Sequence, residues 1–177
     1  NWPNNDPGET GDVQDGHNIY NRTGDNFTMV NARSVRGTGD GVEILNDAQN
    51  ARVIGCVFEN NWEHTVGLNG CDDVVIANNV MDTEVNNAHI GTFNGTGVTN
   101  VTIIGNEIRN GQNYGIRLVS YGGSGQSDAR LETVRVENNV IVGTVNTGIF
   151  IQSGGDTTGG LPKDIVVKNN TVQDGQS

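Results

Sequence analysis

One short pattern recurs six times along this chain and restricts its fold more than any other feature of the sequence. Each copy has two apolar residues one position apart, then two spacers, a small residue or Asn, and a last, usually apolar residue seven positions after the first. The copies span residues 27–34, 51–58, 74–81, 101–108, 134–141 and 165–172. Apolar residues with period two form a strand with one buried face. The interval before the last position is too short for a hairpin, so the chain bends there and does not reverse.

A further apolar pair follows most copies, eight residues after the last position. It is present as Val42-Glu-Ile44, Val66-Gly-Leu68, Ile116-Arg-Leu118 and Ile149-Phe-Ile151. In the third copy the pair is ambiguous, because either 88–90 or 89–91 could supply it. Each repeat therefore contains a strand, a bend, a second strand and a third strand.

Because the chain bends between strands without reversing, each strand stacks in parallel on the equivalent strand of the next repeat, about 4.8 Å away. We therefore predict an all-β fold, a right-handed parallel β-helix (solenoid) of about six rungs. The chain is expected to be one domain over 1–177, with an irregular segment at 1–16 and rungs over 17–177, compatible with a longer solenoid. The Asn at the bend is expected to adopt the left-handed conformation and to form a ladder of side-chain amides along the axis. That ladder comprises Asn79, Asn106, Asn139 and Asn170.

The pattern V-x-I-x-N-N-x-I, followed by G-I-x-I, resembles the PbH1-type repeats of the pectate-lyase-like right-handed parallel β-helix superfamily. The resemblance covers roughly residues 17–177. It implies the fold, but not one function, because lyases, epimerases, hydrolases, phage tailspikes and structural solenoids share the architecture. In that superfamily the G-I-x-I strand counts as the first strand of a rung, and the resemblance implies that a site would lie on the outward face of this first strand and in its flanking loops.

Charge and hydropathy argue against two classes of partner. Acidic residues outnumber basic ones 21 to 10, and Lys163 and Lys168 are the only lysines. Nucleic acid is not expected as a partner, because a phosphate backbone requires Lys and Arg for neutralisation. Membrane insertion is not expected either, because the sequence has no apolar run long enough to span a bilayer.

Two features favour a location outside the cytoplasm, extracellular or on a cell or virion surface. The sequence lacks an initiator Met, which is expected of a processed product or an excised piece. It also contains five N-glycosylation sequons, which are compatible with a secreted glycoprotein although so Asn-rich a chain produces some by chance. The candidate glycosylation residues are Asn21, Asn26, Asn94, Asn100 and Asn169.

The two cysteines are predicted to be free thiols. Cys56 occupies the ladder position of its repeat, whereas Cys71 lies at the opposite corner, before Val74. The length of a strand separates these corners, which exceeds the distance that a disulfide can bridge.

Four residues on or near the first-strand face are candidates for catalysis: Arg117, His89, His64 and Glu43. A polysaccharide lyase needs a base and a group that neutralises a uronate carboxylate, and Arg117 with His89 could supply part of this. A glycoside hydrolase would need converging carboxylates, and Glu43 has no obvious neighbour. No cofactor and no metal site is predicted. Calcium would require an acidic cluster, and Asp72 and Asp73 are interpreted as a solvated turn.

Four aromatic residues are predicted to lie beside the same face: Trp62, Tyr114, Tyr121 and Phe150. Exposed rings stack on the apolar C–H faces of sugars. The sequence therefore favours a polysaccharide or another glycan as the ligand.

A second group of residues favours self-association. Ile54, Val57, Val80, Ile104 and Val140 are predicted to point outward, where polar residues would be expected. Apolar surface patches usually mark an interface. Two functions therefore stay open: a β-helix that binds or processes polysaccharide, and a non-enzymatic subunit that assembles into an extracellular fibre or filament, with a tailspike-like adhesin combining both.

Overall fold

The computed structural model of the chain describes residues 18–22, 24–45, 48–82, 88–92, 98–120, 130–153 and 161–173. These residues form eighteen strands and no helix. In chain order the strands are β1 (Tyr20–Arg22), β2 (Thr28–Val30), β3 (Arg33–Val35), β4 (Val42–Leu45), β5 (Gln49–Ile54), β6 (Val57–Glu59), β7 (His64–Asn69), β8 (Asp72–Ala77), β9 (Val80–Asp82), β10 (Ala88–Thr92), β11 (Val98–Ile104), β12 (Glu107–Arg109), β13 (Tyr114–Ser120), β14 (Leu131–Glu137), β15 (Val140–Val142), β16 (Thr147–Ser153), β17 (Lys163–Lys168) and β18 (Thr171–Gln173).

Every third strand belongs to the same sheet, so the chain winds as a parallel β-helix. The first sheet has the order β1-β4-β7-β10-β13-β16, the second β2-β5-β8-β11-β14-β17 and the third β3-β6-β9-β12-β15-β18. All pairings are parallel. The predicted fold class, a β-helix of about six rungs, is confirmed.

The core lies inside the coil and consists of the apolar positions of the repeat. Val53, Ile76, Ile103 and Val136 pair in register along the second sheet and are fully buried. Phe58, Met81, Ile108 and Ile141 form the matching column of the third sheet. Each column packs its members directly over one another, so the apolar ladders stabilise the stack by burial.

The predicted Asn ladder is also confirmed. Nδ2 of Asn79 donates to Oδ1 of Asn106 at 2.9 Å, Asn106 to Asn139 at 3.0 Å and Asn139 to Asn170 at 2.9 Å. The ladder also accepts backbone N–H groups. Those of Cys56, Asn79, Asn106 and Asn139 donate to Oδ1 of the ladder Asn in the next rung, which lies 23, 27, 33 and 31 residues further along the chain, respectively. The ladder satisfies polar groups that the core would otherwise leave without partners.

The prediction that the ladder Asn itself adopts the left-handed conformation is wrong. The positive φ belongs to the preceding residue, with values from 50° to 66° at Asn31, Gly55, Asn78, Gly105, Asn138 and Asn169. The bend needs one left-handed residue and one buried amide. Neighbouring residues divide these tasks: Asn78 and Asn138 are exposed at the corner, whereas Asn79 and Asn139, which follow them, are buried.

Strand β10, the fourth strand of the first sheet, follows neither of the two expected registers. Ile90 pairs with Val66 below and Ile116 above, so the inward pair is Ile90 and Thr92. Thr92 was not recognised because it is polar. Its hydroxyl donates to the Val119 carbonyl at 3.0 Å and accepts the Val119 N–H at 2.7 Å, which explains how it is buried at a core position.

Both cysteines are free, as predicted, and both are buried. Burial raises the pKa of the Cys71 thiol to about 12. A thiol with so high a pKa is protonated at neutral pH and is therefore a poor nucleophile.

Candidate functional site

Four consecutive residues at the start of β13, in the first sheet, have two positions that face outward and two that face inward. They are Tyr114-Gly-Ile-Arg117, in which Ile116 is fully buried. A Cβ on Gly115 would lie 2.7 Å from Cγ2 of the core residue Ile141, so this position also faces the interior and has no room for a side chain. Because two successive positions face inward, Tyr114 and Arg117 emerge on the same side of the sheet.

Tyr114, Arg117 and Phe150 form one cluster on that outward face. The ring centroids of Tyr114 and Phe150 are 5.1 Å apart with an interplanar angle of 41°. The guanidinium carbon of Arg117 lies 5.7 Å from the Tyr114 ring centroid, within the range of a cation–π contact. Phe150 pairs in register with Arg117 across β13 and β16. All three side chains are partly exposed, so the cluster presents two rings and a cation to solvent.

Glu43 belongs to the same outward column but lies far from the cluster. Register pairs link Glu43 to Gly67, Gly67 to Gly91 and Gly91 to Arg117, which places Glu43 three strands from Arg117. At about 4.8 Å per strand this is about 14 Å, too far for both to contact one sugar ring. Glu43 is also buried, with 6% of its surface exposed.

His64 pairs with an acidic residue that the sequence interpretation missed. Oδ1 of Asp40 accepts the His64 backbone N–H at 2.9 Å and lies 3.1 Å from Nδ1 of the ring. Both side chains are 1% exposed. The ring packs over Gly91, where an added Cβ would lie 2.5 Å from His64 Cδ2. Nothing in the sequence distinguished Asp40 from other turn aspartates, because its partner becomes apparent only from the register of β7.

His89 occupies a different position from the other catalytic candidates. It precedes Ile90, so that Gly91 and not His89 lies in the column of Arg117. Nδ1 of His89 lies 3.0 Å from the Thr65 hydroxyl, and the ring is fully buried. Burial lowers the pKa of His89 to about 4, against a smaller opposing effect from the Arg109 backbone. The imidazole is therefore neutral at physiological pH, and the four catalytic candidates do not converge on one point.

Of the other predicted sugar-binding aromatics, Trp62 is separated from the cluster. Trp62 is 52% exposed and precedes β7, two strands from β13 in the sheet. Tyr121 lies outside the described residues. A further aromatic residue, Tyr20, was not predicted; it is 50% exposed and pairs in register with Glu43 at the other end of the column.

The Asp72–Asp73 corner is held by hydrogen bonds and an ion pair. Asp72 accepts a hydrogen bond from the Thr99 hydroxyl at 2.5 Å and one from Nδ2 of Asn100 at 2.8 Å. The bond from Thr99 is the main reason why the pKa of Asp72 is lowered. Asp73 forms an ion pair with Arg52 at 2.9 Å. Among the described residues no group of three His, Cys, Asp or Glu is arranged to hold a metal ion.

The sequon asparagines differ in position. Asn26, Asn100 and Asn169 are exposed and stand at left-handed corners. Asn21 is partly buried and donates to the Gly24 carbonyl at 3.1 Å. Asn94 lies outside the described residues.

The comparisons with known proteins identify the family. A family model described as the right-handed β-helix region matches residues 10–129. The chain therefore belongs to the right-handed β-helix family. The rungs continue beyond that match, through β14 to β18. No curated protein and no solved structure matches the chain. In the described part of the chain there is no helix long and apolar enough to cross a membrane.

Proposed function

We propose that this protein binds a polysaccharide outside the cytoplasm, extracellularly or on a cell or virion surface, through the Tyr114–Arg117–Phe150 cluster. The observation that carries the proposal is the pairing of two partly exposed rings, 5.1 Å apart, with a guanidinium over one of them. Tilted rings offer apolar surface to the C–H faces of a pyranose. The Arg117 guanidinium offers a planar set of donors for hydroxyl or carboxylate oxygens.

Binding is favoured over cleavage. A lyase or hydrolase needs an acid or base within hydrogen-bond reach of the sugar that the cluster holds. Glu43 is three strands away in the same column, and His89 is buried against Thr65. The cluster lies on two paired strands of the first sheet, which favours a preorganised site and a lower entropic cost of binding.

The test is a glycan array followed by affinity measurements on substituted proteins. The double variant Tyr114→Ala/Phe150→Ala should bind the best array ligand at least about tenfold more weakly, since each aromatic contact contributes about 1 kcal/mol. Tyr20→Ala is the matched control, because Tyr20 is an exposed aromatic residue on the same sheet. Its affinity should equal that of the wild type.

Product assays distinguish binding from processing. Incubation of the bound polysaccharide with wild-type protein should yield neither unsaturated ends, which a lyase produces, nor new reducing ends, which a hydrolase produces. Products that disappear on Arg117→Gln would show that the cluster is catalytic. Failure of every glycan to bind the wild type would refute the proposal.

A further inference from the structure

An apolar surface follows the corner between the second and third sheets. We define the corner face as the outward side chains of β3, β6, β9, β12, β15 and β18 together with the last residue of each second-sheet strand. Val30 and Val140 on this face are 49% and 40% exposed. Ile54, Val57, Val80 and Ile104 are partly exposed and fill the rungs between them. Such contiguous outward aliphatic residues mark an interaction surface more strongly than scattered ones do.

The charges of the corner face are balanced within the face and its immediate neighbours. Glu59 forms an ion pair with Arg33, and Glu107 and Asp82 both pair with Arg109. Glu137 lies between Arg135 at 2.6 Å and Lys168 at 3.3 Å. Four carboxylates thus meet four cations here, whereas the whole chain carries 21 acidic and 10 basic residues.

We infer that the corner face pairs two copies of this chain. A basic partner would bind preferentially to other surfaces of the protein, because the acidic excess lies there and the charges of the corner face are balanced. A second copy, carrying the same net charge of −11, is repelled by that excess and meets no net repulsion at a balanced, apolar-centred face. The charge distribution therefore favours an identical copy over a basic partner as the occupant.

The size of the face sets the strength of this contact. Six rungs at about 4.8 Å per step give a length of about 24 Å, and one sheet with its corner is about 20 Å wide. A pair of copies would bury about 1,000 Å² in total, which is at the lower limit of specific interfaces. Interfaces of this size are typical of weak, transient association, so we expect a dissociation constant in the micromolar to millimolar range. This contact is independent of the proposed polysaccharide site, which lies on the first sheet.

The test is sedimentation velocity of the full chain from about 10 μM to about 1 mM, at low and at high salt. The wild type should shift towards the dimer mass with concentration, and more strongly at high salt, because salt screens the repulsion between acidic copies. The variant Val80→Lys/Ile104→Lys should dimerise at least about tenfold more weakly. Both new lysines lie in register with carboxylates, Glu107 and Glu137, so the fold can accommodate them. Val145→Lys is the matched control, because Val145 is 60% exposed at a different corner.

Three results would overturn the inference. The first is a wild type that stays monomeric up to about 1 mM at high salt. The second is equal loss of the dimer in Val145→Lys and in the double variant, which would show that the contact is not specific to the corner face. The third needs no variant: in the wild type, concentration-dependent amide NMR shifts must centre on Val57, Val80 and Ile104, and shifts confined to other sheets would contradict the assignment.

Discussion

Asn139 binds Asn106 through a single oxygen atom. Oδ1 of Asn139 accepts the backbone N–H of Asn106 at 2.9 Å and its side-chain Nδ2 at 3.0 Å. The other hydrogen of that amide is donated to the Ile76 carbonyl at 2.9 Å. One buried Asn thus connects its own rung to the rungs above and below it.

Asn106→Leu should lower the free energy of unfolding by about 1–3 kcal/mol, because it leaves buried polar partners without hydrogen bonds. Urea denaturation monitored by circular dichroism measures the loss. Asn146→Leu is the control, because its side chain forms a similar 2.9 Å bond to Asn113 but is exposed. It should change stability by less than about 0.5 kcal/mol. Equal effects of the two substitutions would contradict a structural role for the buried ladder.

Gly91→Ala should destabilise the protein by about 1–3 kcal/mol, because the new Cβ would enter the space of the His64 ring. In a His64→Ala background the same substitution should cost much less, since the obstructing ring is absent. A double-mutant cycle of unfolding free energies measures this coupling. Strictly additive effects would show that the assigned register of β7 and β10 is wrong.

Acidification should destabilise the fold through His89. Its folded-state pKa of about 4 lies below the value of about 6.5 expected for the unfolded chain, so the unfolded state takes up the proton first. Stability should therefore fall as the pH drops from about 6.5 to about 4, by about 3 kcal/mol from this residue. The variant His89→Gln removes the group, so its stability should depend less steeply on pH over that interval. Parallel pH profiles for the two proteins would contradict a buried neutral imidazole.

The sequence was sufficient to predict the strands and the inward positions of the second and third sheets, because those positions are apolar in nearly every repeat. The Asn-Asn pairs at 78–79, 138–139 and 169–170 could not reveal which residue takes the left-handed conformation, since Asn tolerates both roles. The register of β10 was misassigned because Gly91 and Thr92 interrupt the usual apolar pattern. Contacts between side chains of different rungs, such as Asp40 with His64, depend on register and were inaccessible from one repeat alone.

The outward cluster was predictable in composition but not in geometry. The outward placement of Arg117 and Phe150 followed from alternation along the strand. The approach of Tyr114 to Arg117, three residues apart, depends on two successive inward positions, Gly115 and Ile116, which strict alternation does not anticipate.

The most direct test of the proposed function is an NMR titration of isotopically labelled protein with the glycan that binds best on an array. Backbone and aromatic signals of 114–118 and 147–152 should shift with ligand concentration and give one common dissociation constant. The Tyr20 and Val145 signals should stay unchanged. Shifts centred on the second or third sheet, with the Tyr114, Arg117 and Phe150 signals unmoved at saturation, would contradict the account.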